Sequence, residues 1–272
     1  LIIPNAGADA ITGPMCAKNI FRSSFTNGQP GYAMGEVAAK KNHKTAITLT
    51  WKYAAGEESV KGFKDSFEKG GGKVIKDLTL PFPNVEFQAL LTEIAAAKPD
   101  IVYSFVAGAG AVKLVKDYAA AGLNKTIPLY GPGFLTDGLL EALGDSAKGM
   151  LTTLHYADGL NTKRDKEFRL SYAKTFRLQP DVYAVQGYDA AQMLAIGLKA
   201  SQGDVSRKDD FAKAIRSATI DSPRGPFTIS KAHNPIQDFY LREVIGKENK
   251  SKTIIFSNIK CTDIKVKCLS FS

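Results

Sequence analysis

The residues from Pro99 to Phe134 constrain the fold of this chain more than any other stretch. A short apolar run at residues 100–106 is followed by two glycines, and residues 112–121 then repeat apolar side chains at helical spacing. A second apolar run, residues 127–130, ends at a Gly-Pro pair. This pattern predicts a strand, a crossover helix and a second strand. Because such crossovers are almost always right-handed, both strands should be parallel and end at the same edge of a sheet.

The same alternation of strand and helix precedes this stretch. Strands are predicted at residues 45–51 and 73–80, and a helix at residues 57–69 places Val60, Phe63 and Phe67 on one face. A further helical stripe begins at Phe87. A chain that repeats strand and helix in this way predicts an α/β fold with a parallel, doubly wound sheet.

The pattern changes after a predicted strand at residues 149–156. The following block contains helices with almost no strand between them, and a block of this kind most simply covers a different sheet. Two extended runs, residues 226–230 and 238–245, then follow. The predicted helices are Arg164–Phe176, Tyr183–Ala200 and Ser206–Ala218, with Ser206 as the N-cap of the last.

The segment from Lys247 onward has six Lys against two acidic residues, a net charge of +4. It alternates apolar with basic residues. An edge strand is predicted at residues 253–259, where the lysines of the surrounding tail discourage pairing with other chains, and the remainder is predicted to be a poorly ordered terminus.

The whole chain carries 36 basic and 27 acidic residues, a formal charge of +9, which permits an acidic partner. The basic residues are scattered, however, and the densest run before the tail, Lys40, Lys41 and Lys44, is interpreted as a solvated helix end rather than a nucleic-acid patch. The longest apolar runs are far shorter than the roughly 20 residues of a membrane-spanning helix. We therefore expect neither nucleic-acid binding nor membrane insertion.

A search for catalytic chemistry finds none. The chain has no GxSxG elbow and no GxxxxGK[ST] phosphate loop, and Gly108 and Gly110 lack the third glycine of a dinucleotide fingerprint. Glu57 and Glu58 open a predicted helix, where negative charge offsets the helix dipole. The sequence therefore predicts a protein that is not an enzyme and has no cofactor.

Metal binding is equally weakly indicated. Cys16, Cys261 and Cys268 are too few and too far apart for zinc-ligand spacing, and the three histidines fall in unrelated segments. In an exported protein three cysteines would form one pair and leave one free thiol, whereas in the cytosol all three would stay reduced.

Aromatic side chains follow the predicted parallel strands where ligands of open α/β sheets bind. These are Trp51 and Tyr53, then Phe105, then Phe134. Aromatic and small residues that converge at one sheet edge predict a pocket for an apolar or aromatic small molecule. Trp51 and Phe105 fit packing in the core equally well, whereas Tyr53 is the stronger ligand candidate because it lies beyond the strand and carries a hydroxyl.

Several motifs carry a family resemblance that runs in order from Leu1 to about Val244. The motifs are NAGADAITGP, CAKNIFRSSFTNGQ, WKYAAGEESVKGFKDSFEKGGGKV, AAAKPDIVYSFVAGAGAVKLVKDYAAAGL, PDVYAVQGYDAAQ and SPRGPFTISKAHNPIQDFYLREV. With these motifs the chain resembles the branched-chain amino-acid type of ABC-transporter substrate-binding protein, the leucine/isoleucine/valine-binding class of periplasmic solute receptors.

The resemblance implies a type I periplasmic-binding fold with two lobes, each a doubly wound parallel sheet, that close around a ligand. It also implies that the first lobe is incomplete, because such proteins begin with a signal peptide and three β-α units that this chain lacks. The implied divisions are 1–42, a remnant of the first lobe; 43–156, the second lobe; 157–221, helices of the first lobe; 222–246, a crossover and strands returning to the second lobe; and 247–272, a divergent basic tail.

The resemblance further implies where the ligand binds. Gly133 stands where amino-acid-binding relatives carry an acidic residue for the ammonium group. A buried, unpaired ammonium would cost several kcal/mol, so the expected ligand is an aromatic acid or similar carboxylate rather than a standard α-amino acid. The implied ligand-contact residues are Asn5, Ala6, Gly7 and Asp9 in one loop, and Tyr53, Ala55, Phe105, Ala107, Gly133 and Phe134 in the second lobe.

The ligand carboxylate would be held by the backbone N–H groups of Ala6 and Gly7, or by Arg22 if that side chain reaches the ligand. Arg22 and Arg224 are otherwise expected to be structural. A near-terminal cysteine in relatives suggests a disulfide between Cys16 and Cys268.

The expected function is therefore that of a periplasmic, monomeric solute-binding protein of an ABC importer, which binds a small aromatic carboxylate or branched-chain amino acid and docks on permease subunits. Two alternatives remain open at this stage: a ligand-sensing regulatory protein of the same fold, and a truncated fragment that binds nothing.

Overall fold

The computed structural model describes residues 1–256, with side chains to residue 250. The described chain packs as two compact units. Unit 1 comprises residues 1–26, 155–238 and 256, and unit 2 comprises residues 27–154 and 239–255.

The elements are numbered in chain order. The strands are β1 (Ile2–Ile3), β2 (Phe21–Arg22), β3 (Thr45–Lys52), β4 (Lys73–Pro81), β5 (Ile101–Phe105), β6 (Leu129–Pro132), β7 (Leu151–Leu154), β8 (Thr219–Ile220), β9 (Phe227–Ile229), β10 (Pro235–Ile236), β11 (Phe239–Ile245) and β12 (Glu248–Phe256). The α-helices are α1 (Asp9–Thr12), α2 (Gly28–Lys40), α3 (Ala54–Lys69), α4 (Gln88–Ala97), α5 (Gly108–Ala120), α6 (Leu140–Leu143), α7 (Lys163–Phe176), α8 (Val182–Ala200) and α9 (Lys208–Ser217).

Unit 2 contains a seven-stranded sheet in the order β12-β11-β7-β6-β5-β3-β4. The strands from β3 to β7 pair in parallel, which confirms the predicted doubly wound arrangement, and β11 is antiparallel to β7. The register sets Thr50 opposite Phe105 and Tyr103 opposite Tyr130. Because they are parallel, β4, β3, β5 and β6 all end at one edge of the sheet.

Apolar side chains cover both faces of this sheet. One face packs against α4 and α5 through a cluster that includes Leu49, Leu91 and Leu114. The other packs against α2 and α3, where Phe63 stacks on Tyr103 with ring centroids 4.3 Å apart. Each buried Leu or Phe side chain of these clusters contributes about 1.5–3 kcal/mol to folding stability. The two clusters together therefore stabilise the sheet that carries the strand ends.

Unit 1 contains two small sheets and the helix-rich block. β1 and β2 pair in parallel, and β8, β9 and β10 form an antiparallel sheet in the order β10-β9-β8. Helices α7 and α8 are capped by Thr162 and Asp181, whose side chains accept hydrogen bonds from backbone N–H groups of the first turn. A buried ion pair joins Arg224 Nε to Asp189 Oδ2 at 3.3 Å, which is a structural role of the kind expected for Arg224.

The compact units differ from the predicted divisions at two places. Helix α2, expected in the first lobe, lies in unit 2 because Met34 and Val37 pack with Ile101 and Leu241. Strands β9 and β10, expected among strands that return to the second lobe, pair with β8 in unit 1. The antiparallel sheet of unit 1 was not predicted.

The ends of several elements also differ from the predictions. Helix α3 begins at Ala54 instead of Glu57, and α5 begins at Gly108 instead of Val112. The prediction that Ser206 caps α9 is wrong, because its hydroxyl donates to Asp204 Oδ1 at 2.7 Å and the cap position is held by Arg207. Strand β12 lies at the sheet edge, as predicted for the tail, but already starts at Glu248. The tail after residue 256 lies outside the described residues.

A membrane-spanning helix is absent from the part of the chain described, since none of its helices combines sufficient length with sufficient hydropathy.

Candidate ligand-binding site

The candidate site lies at the carboxyl edge of the unit 2 sheet. Four neighbouring parallel strands, β6, β5, β3 and β4, end there, and the chain continues from them into separate loops or helices. Crevices at this edge are where open α/β sheets bind ligands, since side chains and helix N-termini from several strands meet there. Five of the six predicted contact residues of the second lobe lie in these connections, and the sixth, Phe105, is the last residue of β5.

Four aromatic rings lie along this edge in the same order as the strands. The ring centroids of Phe134 and Phe105 are 6.0 Å apart, those of Phe105 and Tyr53 are 6.2 Å apart, and those of Tyr53 and Phe82 are 5.4 Å apart. All three separations are those of interacting aromatic pairs. We call Phe134, Phe105, Tyr53 and Phe82 the aromatic row.

One end of the aromatic row is buried and the other is exposed. Phe134 and Phe105 are 7% and 5% exposed, Tyr53 is half-buried, and Phe82 is 59% exposed. The row therefore has two buried phenylalanine rings at one end, the Tyr53 phenol in the middle and an exposed phenylalanine at the other end. Such a set of aromatic side chains suits a ligand with an aromatic ring.

Tyr53 supplies the polar group of the row. Burial raises the pKa of its phenol, so the hydroxyl stays protonated at neutral pH and can donate a hydrogen bond. Within residues 1–256 no protein group hydrogen-bonds to this hydroxyl. It is therefore available to a ligand carboxylate, which accepts hydrogen bonds only.

Trp51 belongs to the core and not to the row. It is 5% exposed and packs in the cluster between the sheet and helices α4 and α5. Its indole Nε1 donates to the carbonyl oxygen of Asn84 at 2.7 Å, and its ring lies so close to Gly110 that a Cβ there would be 2.4 Å from the indole. Of the two interpretations of Trp51 left open by the sequence, the structure supports core packing.

Two helices begin at or next to residues of the row. Tyr53 is the N-cap of α3 and Ala107 the N-cap of α5, and neither helix has a side-chain cap. The first N–H groups of such helices have no intrahelical acceptor and carry partial positive charge. Glu57 lies in the first turn of α3, whereas α5 has no acidic residue in its first turn. The α5 terminus is therefore the more favourable of the two for an anion.

The connection after β6 is built around a buried ion pair. Arg242 Nη2 lies 2.7 Å from Asp137 Oδ2 and also donates to the Gly133 carbonyl oxygen at 3.3 Å. Arg242 and Asp137 side chains are 1% and 7% exposed. A Cβ at Gly133 would lie 2.5 Å from Arg242 Nη2 and 2.7 Å from Asp137 Oδ2, so this position has no room for a side chain.

Unit 1 carries the other predicted contact residues. Asn5, Ala6 and Gly7 lie in the loop after β1, and Asp9 begins α1. Arg22 is fully buried: its Nη2 donates to the Ala8 carbonyl oxygen at 2.6 Å and its Nη1 to Asn234 Oδ1 at 2.9 Å. Arg22 thus stabilises the end of this loop through its hydrogen bond to Ala8. A contact between Arg22 and a ligand carboxylate stays a prediction.

Other candidate chemistry is limited. Cys16 is disulfide-bonded, while Cys261 and the predicted partner Cys268 lie outside the described residues. In residues 1–256 no group of three or more His, Cys, Asp or Glu side chains is arranged to hold a metal ion.

Comparisons with known proteins identify the family of this chain. The periplasmic binding protein family model matches residues 2–250. The chain belongs to this family. Among curated members, Leu/Ile/Val-binding protein homolog 6 of Brucella melitensis is 30% identical over 253 residues, which cover 89% of this chain and 64% of that protein. This periplasmic binding protein therefore spans less than two thirds of the length of that relative.

Solved structures of similar proteins include several with aromatic acids bound. A solute-binding protein of an ABC transporter from R. palustris in complex with benzoate is 52% identical, with a TM-score of 0.91 over 95% of this chain and 71% of that one. A second, from Rhodopseudomonas palustris BisB5 in complex with 3,4-dihydroxybenzoic acid, is 33% identical, with a TM-score of 0.86 over 95% and 72%. A third, from R. palustris in complex with 4-hydroxybenzoate, is 26% identical, with a TM-score of 0.90 over 98% and 74%.

Two residues of this periplasmic binding protein's candidate site were missed from the sequence. Phe82 follows the predicted strand at residues 73–80, so its place after a parallel strand was a usable signal. Arg242 lies in the middle of β11, and its pairing with Asp137 depends on the antiparallel addition of β11 beside β7. No local pattern marks that pairing.

Proposed function

We propose that this chain is the solute-binding component of an ABC importer and that its ligand is an aromatic carboxylate of the benzoate class. The observation that carries the proposal is the aromatic row beside the uncapped N-terminus of α5. Rings supply stacking and edge contacts to an aryl group, while the Tyr53 hydroxyl and the helix N–H groups suit a carboxylate.

The surroundings of Gly133 support an aromatic acid over an α-amino acid. An ammonium group needs a carboxylate partner when it is buried. The nearest carboxylate to Gly133, that of Asp137, is already paired with Arg242. Benzoate carries no ammonium group, so it has no such requirement.

The similar proteins point the same way. Three relatives, at 52%, 33% and 26% identity, are described in complex with benzoate or hydroxybenzoates. The name of the 30% identical Brucella relative points instead to branched-chain amino acids, which are therefore the competing ligand class.

The remaining functional properties follow from the same proposal. A component of this kind is periplasmic, acts as a monomer, delivers its ligand to permease subunits and has neither catalytic activity nor a cofactor. The proposed ligand contacts are the unit 2 residues Tyr53, Ala55, Phe105, Ala107, Gly133 and Phe134, together with Asn5, Ala6, Gly7 and Asp9 of unit 1.

The test is a binding titration on the purified chain. Trp51 is the only tryptophan and its ring centroid lies 6.3 Å from that of Tyr53, so its fluorescence reports on ligand at the row. Benzoate, 4-hydroxybenzoate and leucine are titrated separately and the dissociation constants compared. We expect saturable binding of the two aromatic acids and none of leucine.

A matched pair of variants links the binding to the site. Tyr53→Phe removes a hydrogen bond to a charged group, worth about 1.5–3 kcal/mol, and should weaken benzoate binding about 10- to 150-fold. Tyr172→Phe makes the same change on α7 of unit 1 and should leave the affinity unchanged. Binding of leucine but of neither aromatic acid would refute the proposed ligand class.

A further inference from the structure

We infer that Phe82 is a positioning residue for Tyr53 and thereby determines selectivity for planar aromatic acids. The inference rests on the proposed function and adds to it a residue that does not belong to the predicted contact set.

The first observation is the packing of Phe82 against two neighbouring rings. It stacks on Tyr53 at an interplanar angle of 26° and meets Trp51 edge-on, at 89°, with centroids 5.1 Å apart. Phe82 thus packs against both Tyr53 of the row and Trp51 of the core, although 59% of its surface is exposed.

The second observation is that the loop carrying Phe82 is held firmly. The Asn84 N–H donates to the Pro81 carbonyl oxygen at 2.7 Å, and Asn84 Oδ1 accepts from the Glu86 N–H at 2.7 Å. The Asn84 carbonyl oxygen is in turn bound by Trp51 Nε1 at 2.7 Å. These hydrogen bonds anchor the loop to the end of β4 and to Trp51. The backbone of the loop therefore restricts the positions that the Phe82 ring can take, although the ring is exposed.

The third observation concerns the freedom of Tyr53. Its backbone is extended, with φ −161° and ψ 163°, and its ring is limited by Trp51, Phe82 and Phe105. No protein group holds its hydroxyl in residues 1–256. Packing by the three rings is therefore what orients the phenol, and Phe82 provides the shortest of the three separations.

The consequence for binding is one of preorganisation. A donor held in its binding orientation loses less conformational freedom when the ligand arrives. Without Phe82 the Tyr53 ring gains freedom, and a ring that can tilt discriminates poorly between a flat aromatic acid and a puckered saturated one. The ratio of affinities for benzoate and cyclohexanecarboxylate should therefore fall.

The experiment compares Phe82→Ala with two controls. Phe82→Tyr keeps the ring and should keep the selectivity. Phe176→Ala removes a phenylalanine of the same exposure, 58%, from the end of α7 in unit 1, and should change neither affinity nor selectivity. Dissociation constants for benzoate and cyclohexanecarboxylate are measured by titration calorimetry, together with the unfolding midpoint of each variant.

We expect Phe82→Ala to weaken benzoate binding about 2- to 12-fold, the range of one aromatic pair, while affecting cyclohexanecarboxylate less. The same substitution in a Tyr53→Ala background should have no further effect, because Phe82 acts through Tyr53. An unchanged affinity ratio in Phe82→Ala, or an equal loss in the Tyr53→Ala background, would overturn the inference while benzoate binding by the unaltered chain still stands. If the unaltered chain binds no aromatic acid, the proposed function fails, and this inference with it.

Discussion

The packing around Gly133 leads to a sharp prediction about a single methyl group. In Gly133→Ala the new Cβ would lie 2.5 Å from Arg242 Nη2, 2.7 Å from Asp137 Oδ2 and 2.7 Å from Leu154 Cδ2. All three distances are far below van der Waals contact, so at least one neighbour must move. Because Arg242 and Asp137 are buried and bonded to each other, moving either disturbs their 2.7 Å contact.

The magnitude follows from two contributions. Overpacking a buried site costs about 1–3 kcal/mol, and weakening a buried, charge-assisted hydrogen bond costs about 1.5–3 kcal/mol. We therefore expect Gly133→Ala to lower the free energy of unfolding by about 2.5–6 kcal/mol. Urea unfolding followed by circular dichroism measures this difference directly.

Gly138 provides the matched control. It lies in the same connection, with φ +69°, and a Cβ there would meet nothing within 4 Å. Gly138→Ala should therefore cost only the backbone strain of a left-handed conformation, about 1–2 kcal/mol. If Gly133→Ala proved no more destabilising than Gly138→Ala, the account of a tightly packed Arg242–Asp137 pair would be wrong.

Two further predictions concern unit 1. Gly187 is an exposed position inside α8 where a Cβ would meet nothing within 4 Å, so Gly187→Ala should raise the free energy of unfolding by about 1 kcal/mol; a lower unfolding midpoint would contradict this. Burial lowers the pKa of His233, which means that stability is fully present above the ordinary histidine pKa and is lost as the pH falls through the lowered value. The free energy of unfolding should therefore fall between pH 7 and pH 5, by at most about 1.4 kcal/mol per pH unit, and the unfolding midpoint should fall with it. This pH dependence should be weaker in His233→Asn, because asparagine has no titrating ring and tolerates the φ of +59° at this position.

The sequence predicted the parallel sheet of unit 2 well because its inner strands, β3, β5, β6 and β7, are buried on both faces. Strand β5 and helix α5 appear as an apolar run and a helical stripe, which are signals of local spacing alone. The position of Tyr53, Phe105 and Phe134 at one edge then follows from the parallel direction of the strands. Their mutual distances of about 6 Å confirm that prediction.

The features that were missed depend on contacts between distant segments. Helix α3 begins three residues early because the extended backbone of Tyr53 supplies the cap position, and no Ser, Thr, Asp or Asn signals that start. Arg242 pairs with Asp137 only because β11 joins the sheet in the antiparallel direction. The predicted extended run at residues 226–230 contains β9, but its antiparallel partners β8 and β10 hold only two residues each, too few for a periodic pattern to be detected.

The rings of the aromatic row are supplied by four chain segments, each of which belongs to a different parallel strand. The main-chain hydrogen bonds that fix the strand register do not depend on which side chains stand at the strand ends. One ring can therefore be exchanged by a single substitution while the ladder of strands beneath it stays the same. Ligand preference in such a protein can diverge in small steps, without any redesign of its scaffold.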